Sequence, residues 1–435
     1  MANFYKSILV FCATFYVVCA RHEAYDGHTL YEVVVKNAEQ AVFVNGLENE
    51  IPIDVFSYAN TGRAGEILVS KEQKMEFEAK LTSMDVDYSI LTENIKEQLE
   101  REDMILAEAA SKPVNSSSSR SSRLAPLPLD RTHRFQVVDN YLVQVANAYP
   151  NRVTVESAGR SLEGRDMKYL KISTTNFQDR RKPIIYVMSL LHAREWVTLP
   201  ATLYAIEKLV IDVTDHDLLN DFDWIIMPIA NPDGFEFSFT SNGRFWRKNR
   251  RINPGTNCMG VDLNRNFDVD WGTASSNDAC TQTFHGPRPF SEPESVNIRR
   301  VLNAYSNRID MLIDIHSFGS MILFGRGTGV LAPNALTLNF VGVNMAQAID
   351  RVKWPSKPNY VVGNIAHVLG MTGSGGLSDY AQVGAGIPLS FVYELPAYRG
   401  RRDMMGFLVE PSFIRQAGVE TWEGIKAGAR TIRNM

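Results

Sequence analysis

Cysteine is scarce in this chain, no charge of one sign dominates, and no apolar run after the first twenty residues is long enough to span a bilayer. Each shortage excludes something. A net charge of -4 gives no reason to expect a nucleic-acid or acidic-membrane partner. The absence of a later apolar span leaves no candidate membrane helix. No internal repeat is visible, which argues against a solenoid. What is present fits a soluble globular protein. The apolar share is 45% and the charged share 22% over 435 residues, more than one ordinary domain needs.

The N-terminus reads as a secretory signal peptide, residues 1–20. Lys6 supplies the positive end, Ile8 to Val18 the short apolar stretch, and Val18-Cys19-Ala20 the small residues before a cut after Ala20. The mature chain is therefore expected outside the cell. Two of the four cysteines, Cys12 and Cys19, leave with the signal. Cys258 and Cys280 remain as an even pair in an oxidising compartment. They are predicted to form one disulfide closing a loop of about 20 residues, worth ~3 kcal/mol in the chain-entropy account.

Composition shifts at residues 111–134, where Ser, Pro and Arg crowd together without apolar periodicity. This is a predicted linker. It contains the sequon Asn115-Ser116-Ser117, and of its arginines Arg120, Arg123 and Arg131 are read as exposed sites for a trypsin-like protease.

The unit before it, residues 21–110, is predicted to be a small α+β domain. Leu30–Val35, Ile51–Phe56, Glu66–Ser70 and Asp87–Leu91 have strand character. Helices are expected near Glu39–Asn45, over Lys71–Met84 with Met75, Phe77 and Leu81 on one side, and over Glu93–Glu102. The order is close to β-α-β-β-α-β, a ferredoxin-like split motif.

Residues 135–435 have another texture. Continuous apolar runs at Ile184–Leu191, Trp224–Ile229, Met311–Ile315 and Leu389–Tyr393 alternate with amphipathic segments such as Leu199–Ile211 and Ser291–Ala304. Unbroken apolar runs mark strands buried on both faces. The expected architecture is α/β, with a mixed, mostly parallel sheet flanked by helices.

Three patches follow apolar runs: His192-Ala193-Arg194-Glu195, Ile315-His316-Ser317-Phe318 and Tyr393-Glu394-Leu395-Pro396. In open α/β sheets, ligands bind beyond the carboxyl ends of strands. His192 and Glu195, three residues apart, can chelate one metal. His316 completes a His2Glu set with a fourth position left for water, the pattern of a catalytic zinc. The chain has eight histidines in all. Of the rival ligands, His285 is assigned a structural role and His367 is left open.

With these patches stand GRSLEGR at 159–165, NPDGFEFS at 231–238, RFWRKNR at 244–250 and GVDLNRNF at 260–267. Together, over about 300 residues, they make the domain resemble the secreted digestive zinc carboxypeptidases of the carboxypeptidase A/B family. The preceding unit resembles that family's activation propeptide. The resemblance implies one zinc per chain, held by His192, Glu195 and His316. It implies Glu394 as the general base toward zinc-bound water, and Arg247 as the group that steadies the oxyanion. Asn264 and Arg265 match the pair gripping a peptide's terminal carboxylate, a task suited to a planar guanidinium. Arg194, Ser317, Phe318 and Phe407 match subsite residues, and Asp262 an acceptor behind a ligating histidine. Peptide or protein C-termini are the implied substrates, an activating trypsin-like protease the implied partner, and a monomer the implied state.

Two departures bear on specificity. The family's mobile tyrosine falls on Gly370 or Met371, and neither is tyrosine. Anchored on Asp379-Tyr380, the residue at the pocket floor is Ser378, with Leu323 and Gly327 as further pocket positions. A small uncharged floor predicts release of neutral residues, aliphatic or aromatic. A register slip of one would bring Asp379 into the pocket and favour Lys or Arg. A non-catalytic binding homologue is the remaining alternative.

Overall fold

The computed structural model describes residues 21–112, 123–399 and 405–435. The predicted signal peptide, Asn115 and Arg120 lie outside these. Among the described residues, no helix is long and apolar enough to cross a membrane.

The first unit contains β1 (Thr29–Val34), α1 (Ala38–Gly46), β2 (Ile53–Ser57), β3 (Gly65–Val69), α2 (Lys74–Ser83), β4 (Asp87–Thr92) and α3 (Ile95–Ser111). The strands lie in the order β2-β3-β1-β4, each pair antiparallel, which is the ferredoxin-like arrangement. Strand alternation divides the side chains between two faces. Tyr31, Val33, Ile67 and Val69 pack with Val44 of α1 and with Phe77 and Leu81 of α2. Leu30, Phe56 and Leu68 turn the other way and join Ile95, Leu99 and the core of the following unit. One predicted core residue is corrected. Met75 is 85% exposed, because inside α2 it stands two residues, about 200° of helix, from Phe77 and so faces away from the buried i, i+4 pair Phe77 and Leu81.

The second unit is built on eight strands. They are β5 (Val153–Arg160), β6 (Asp166–Ile172), β7 (Ile184–Ser189), β8 (Asp223–Met227), β9 (Ile309–Ser317), β10 (Met321–Phe324), β11 (Val361–Asn364) and β12 (Leu389–Leu395). Their spatial order is β11-β10-β12-β9-β7-β8-β6-β5. The central four, β12-β9-β7-β8, are parallel, and antiparallel pairs flank them. Successive residues of β7 feed opposite layers. Ile185 and Val187 pack with α4 (Phe135–Ala148), α5 (Thr198–Ile206), α7 (Ala335–Asp350) and α9 (Pro411–Arg433). Ile184, Tyr186 and Met188 pack with α6 (Pro293–Tyr305). A single-turn helix, α8 (Ile365–Leu369), ends at Gly370, whose φ of +74 is the left-handed cap that stops helices. Cys258 and Cys280 form the predicted disulfide.

The linker arginines are not alike. Arg123 is exposed. Arg131 was expected to be exposed, but its guanidinium bonds both carboxylate oxygens of Asp130 (2.7 and 3.2 Å) and the Ala110 carbonyl (3.3 Å). Its side chain is only 13% accessible.

Candidate metal centre and substrate cleft

β12, β9 and β7 are parallel neighbours, so their carboxyl ends lie side by side. That geometry gathers the three sequence patches. Glu394 on β12 is in register with His316 on β9, and the turn after β7 carries His192 and Glu195.

His192, Glu195 and His316 are all buried, and one ligand atom from each lies within 4.8 Å of the others. The two imidazoles present their Nδ1 atoms to each other at 3.0 Å. Glu195 spans them, with Oε1 2.8 Å from His192 Nδ1 and Oε2 3.1 Å from His316 Nδ1. Each opposite nitrogen, Nε2, faces a buried carboxylate: Asp262 at 3.1 Å for His192 and Asp314 at 2.7 Å for His316. A carboxylate holds the Nε2 proton, so each Nδ1 is left with its lone pair. Two imidazole lone pairs and a carboxylate converging on one point repel unless a cation lies among them. This donor set suits zinc.

Asp262 has a second partner. Its Oδ2 accepts from Arg247 Nη2 at 2.9 Å and Nε at 3.2 Å, which fixes that guanidinium beside the metal site. Arg247, Glu394, Asn264 and Arg265 line the cleft onto which His192 and Glu195 open, as do Ser317, Phe318, Arg194 and Phe407. Burial raises Glu394 above the usual carboxylate range, against the pull of His316. Arg265 donates to the Asn264 carbonyl, and its buried Nε has no partner among the described residues. Asn264 Oδ1 accepts from the Leu377 amide at 2.8 Å, which leaves its amide nitrogen as a donor without a side-chain hydrogen bond among the described residues. Ser317 Oγ is likewise buried and unpartnered among the described residues.

A side pocket opens next to Arg265. Ile365, Leu369, Met371, Ser378, Asp379 and Val392 are among its walls. Ser378 Oγ accepts from Ser390 Oγ at 3.2 Å. Asp379 reaches the same pocket, but its Oδ2 is held by the Gly327 amide at 2.8 Å, and burial pushes its carboxyl up to about 6. Leu323 instead packs with Met321 and Val392 in a small apolar cluster. The remaining histidines stay away from the metal site. His285 bonds Ser275 Oγ at 3.0 Å and packs on Trp271, while His367 is exposed.

The N-terminal unit covers this cleft. Asp54 on β2 makes a two-bond ion pair with Arg194 at 2.8 and 2.7 Å. Glu102 on α3 makes another with Arg244 at 2.7 and 3.0 Å, and both side chains are at most 2% exposed. Tyr58 lines both the metal cleft and the side pocket. Arg63 donates to the carbonyls of Tyr58 and Leu369. Burial pushes Glu48 up to about 7, although Arg247 and Arg265 pull it down.

Sequence reasoning missed Asp314, although an Asp two residues before a ligand on one strand shares its face. It also missed Arg244 as an anchor and every covering residue of the N-terminal unit. Nothing local distinguishes Asp54 or Glu102, whose partners lie 140 and 142 residues away.

Comparison with known proteins agrees with this geometry. Residues 138–424 match the family described as zinc carboxypeptidase, and residues 31–102 match the carboxypeptidase activation peptide. A carboxypeptidase B of Helicoverpa zea is 41% identical over 428 residues, 97% of each chain. Carboxypeptidase A2 of Rattus norvegicus is 31% identical, with 96% of each chain covered. The crystal structure of carboxypeptidase A from Helicoverpa armigera is 56% identical, with a TM-score of 0.89, covering 94% of this chain and 98% of that one. A buried His2Glu zinc site under an N-terminal covering unit therefore has its explanation: the chain belongs to the zinc carboxypeptidase family, as a proenzyme that carries its own activation peptide.

Proposed function

We propose that the activated enzyme removes neutral C-terminal residues, aliphatic or aromatic, from peptides and proteins outside the cell. The observation that carries this reading is the shared cleft, where Glu394, Arg247, Asn264 and Arg265 line the same space as His192 and Glu195, with His316 completing the ligand set. Arg265 and Asn264 hold the terminal carboxylate, which limits the cut to the last peptide bond. Arg247, fixed by Asp262, meets the oxyanion as charge develops on the scissile carbonyl. Glu394 takes a proton from the attacking water and delivers it to the leaving amine. Zinc, when bound, polarises the carbonyl and makes water acidic enough to be deprotonated near neutral pH. Arg194, Ser317, Phe318 and Phe407 contact residues upstream of the cut.

The neutral preference rests on the pocket. Ser378 carries no charge, and Ile365, Leu369, Met371 and Val392 supply apolar wall. Asp379 favours the alternative, release of Lys or Arg, but its Oδ2 is already engaged by Gly327. Peptides ending in Phe, Leu, Lys and Arg, compared after tryptic activation, test the choice. Faster release of Lys or Arg overturns it. Glu394→Gln should retain one zinc per chain and lose roughly 10²-fold or more in kcat. Wild-type turnover in that variant would refute the proposed base.

A further inference from the structure

Behind Arg247 lies a fully buried frame of side chains that the steps above leave unused. Asn249, two residues on, is 0% exposed, and its carboxamide uses both donors and both acceptor positions. Nδ2 donates to Glu292 Oε2 at 2.8 Å and to Glu294 Oε2 at 3.1 Å. Oδ1 accepts from the Val261 amide at 2.9 Å and the Arg251 amide at 3.3 Å. The Asn249 amide returns a bond to the Val261 carbonyl at 3.1 Å. The segment carrying Arg247 and the segment carrying Asp262 are thus joined twice, one residue away from Asp262. The far side of the Arg247 segment is tied as well. The Arg247 carbonyl accepts from the Ala193 amide at 3.0 Å. Asn231 Nδ2 bridges the Lys248 carbonyl (3.1 Å) and the Leu191 carbonyl (3.3 Å). A Cβ at Gly234 would come within 2.5 Å of the Lys248 carbonyl, so only glycine permits that approach.

We infer that Asn249 is a positioning residue for the reaction: by joining the 247–249 segment to the 260–262 segment, it sets the Arg247 guanidinium against Asp262 and hence over the metal site. This rests on the reading of Arg247 as the oxyanion group. Only a carboxamide fits the position, because it must donate toward two buried carboxylates and accept from a backbone amide opposite them. Aspartate would turn a third carboxylate oxygen toward Glu292 and Glu294. Alanine would take from Glu292 Oε2, Glu294 Oε2 and the Val261 amide the partner each now has in Asn249. Either change releases Arg247 from its register, and a displacement of about 1 Å at a catalytic group costs on the order of 10²-fold in rate.

The test uses full-length protein, zinc-loaded and activated by trypsin. Asn249→Asp should lower kcat roughly ten-fold or more, while zinc stays at one per chain and KM moves less than about two-fold, since Asn264 and Arg265 hold the carboxylate from another segment. Adding Glu294→Gln should recover part of the lost kcat, because the glutamine nitrogen donates to the carboxylate introduced at position 249 while its oxygen still accepts from the Leu162 amide, now at 2.9 Å, and only Glu292 is left facing that carboxylate. Placed on an Arg247→Ala background, Asn249→Asp should cause no further loss of kcat, as expected of a residue acting through Arg247. Full kcat in Asn249→Asp, no recovery with Glu294→Gln, or a further loss on the Arg247→Ala background each overturns the inference. If Asn249→Asp alone does not accumulate, the double variant decides: turnover with bound zinc supports the inference, and its absence overturns it. Wild-type kcat in Arg247→Ala would instead remove the oxyanion reading itself, whatever Asn249 does.

Discussion

Glu102→Gln should release the activation peptide from the cleaved proenzyme at far higher concentrations than the wild type does. Glu102 and Arg244 are buried, and two bonds of 2.7 and 3.0 Å neutralise the guanidinium. Glu102 Oε1 also accepts from the Val409 amide at 2.7 Å. Glutamine keeps the shape and one acceptor but removes the charge. Breaking a buried pair from one side costs about 3–5 kcal/mol, because the other charge stays buried without its partner. Arg244 keeps the carbonyls of Arg194 (2.9 Å) and Phe407 (2.5 Å) and lies 3.8 Å over the Trp196 ring. These hold the loss near the lower figure, about 3 kcal/mol, or roughly a hundredfold in dissociation constant. The assay cleaves the linker, dilutes the complex and follows peptidase activity. The concentration at which activity reaches half its maximum should rise about a hundredfold in the variant. Fully digested enzyme from both proteins should turn over equally. An unchanged midpoint would refute the assignment of this pair as an anchor.

Three other outcomes are expected. Glu48, raised to about 7 by burial, favours docking of the activation peptide in its protonated form, so that contribution is complete below the ordinary Glu range and is lost as pH climbs through about 7; the same dilution midpoint should rise between pH 5 and 8, and rise less in Glu48→Gln. Asp314→Ala strips His316 Nε2 of its acceptor at 2.7 Å and should weaken zinc binding about 10–100-fold, measured by competition with a chelator. N-terminal sequencing of trypsin-activated protein should detect cleavage after Arg123 and no chain beginning at Thr132, since Arg131 is engaged by Asp130 and Ala110.

The metal site was legible because its information is local. His192 and Glu195 share one turn, and His316 and Glu394 follow apolar strands whose parallel pairing brings them together. Phe77 and Leu81 were legible for the same reason, and Met75 was misjudged because two residues before Phe77 is not a same-face spacing on a helix. Arg131 looked exposed because a Ser- and Pro-rich stretch says nothing about an adjacent aspartate folding back on it. The covering contacts were illegible for a different reason. Asp54 and Glu102 are ordinary acidic residues on a strand and a helix, and only docking of two units gives them arginine partners. Asn249 belongs to the same class, since its four partners come from three separate segments.

How the proenzyme is held inactive follows from where its anchors fall. Among the described residues, the hydrogen-bond partners of His192, Glu195 and His316 all belong to the second unit. The activation peptide bonds instead to Arg194 and Arg244 and to the backbone of α8, through Asp54, Glu102, Asn60 and Arg63. The metal-ligand set is therefore held entirely by the second unit, so departure of the peptide is expected to leave it in place. Asp54, Glu102, Asn60 and Arg63 all lie outside the linker, so cutting it leaves these contacts in place, and release is expected to follow cleavage as a separate event that the two ion pairs help to slow. Both pairs are largely shielded from solvent, so salt screens them far less than it would screen surface pairs.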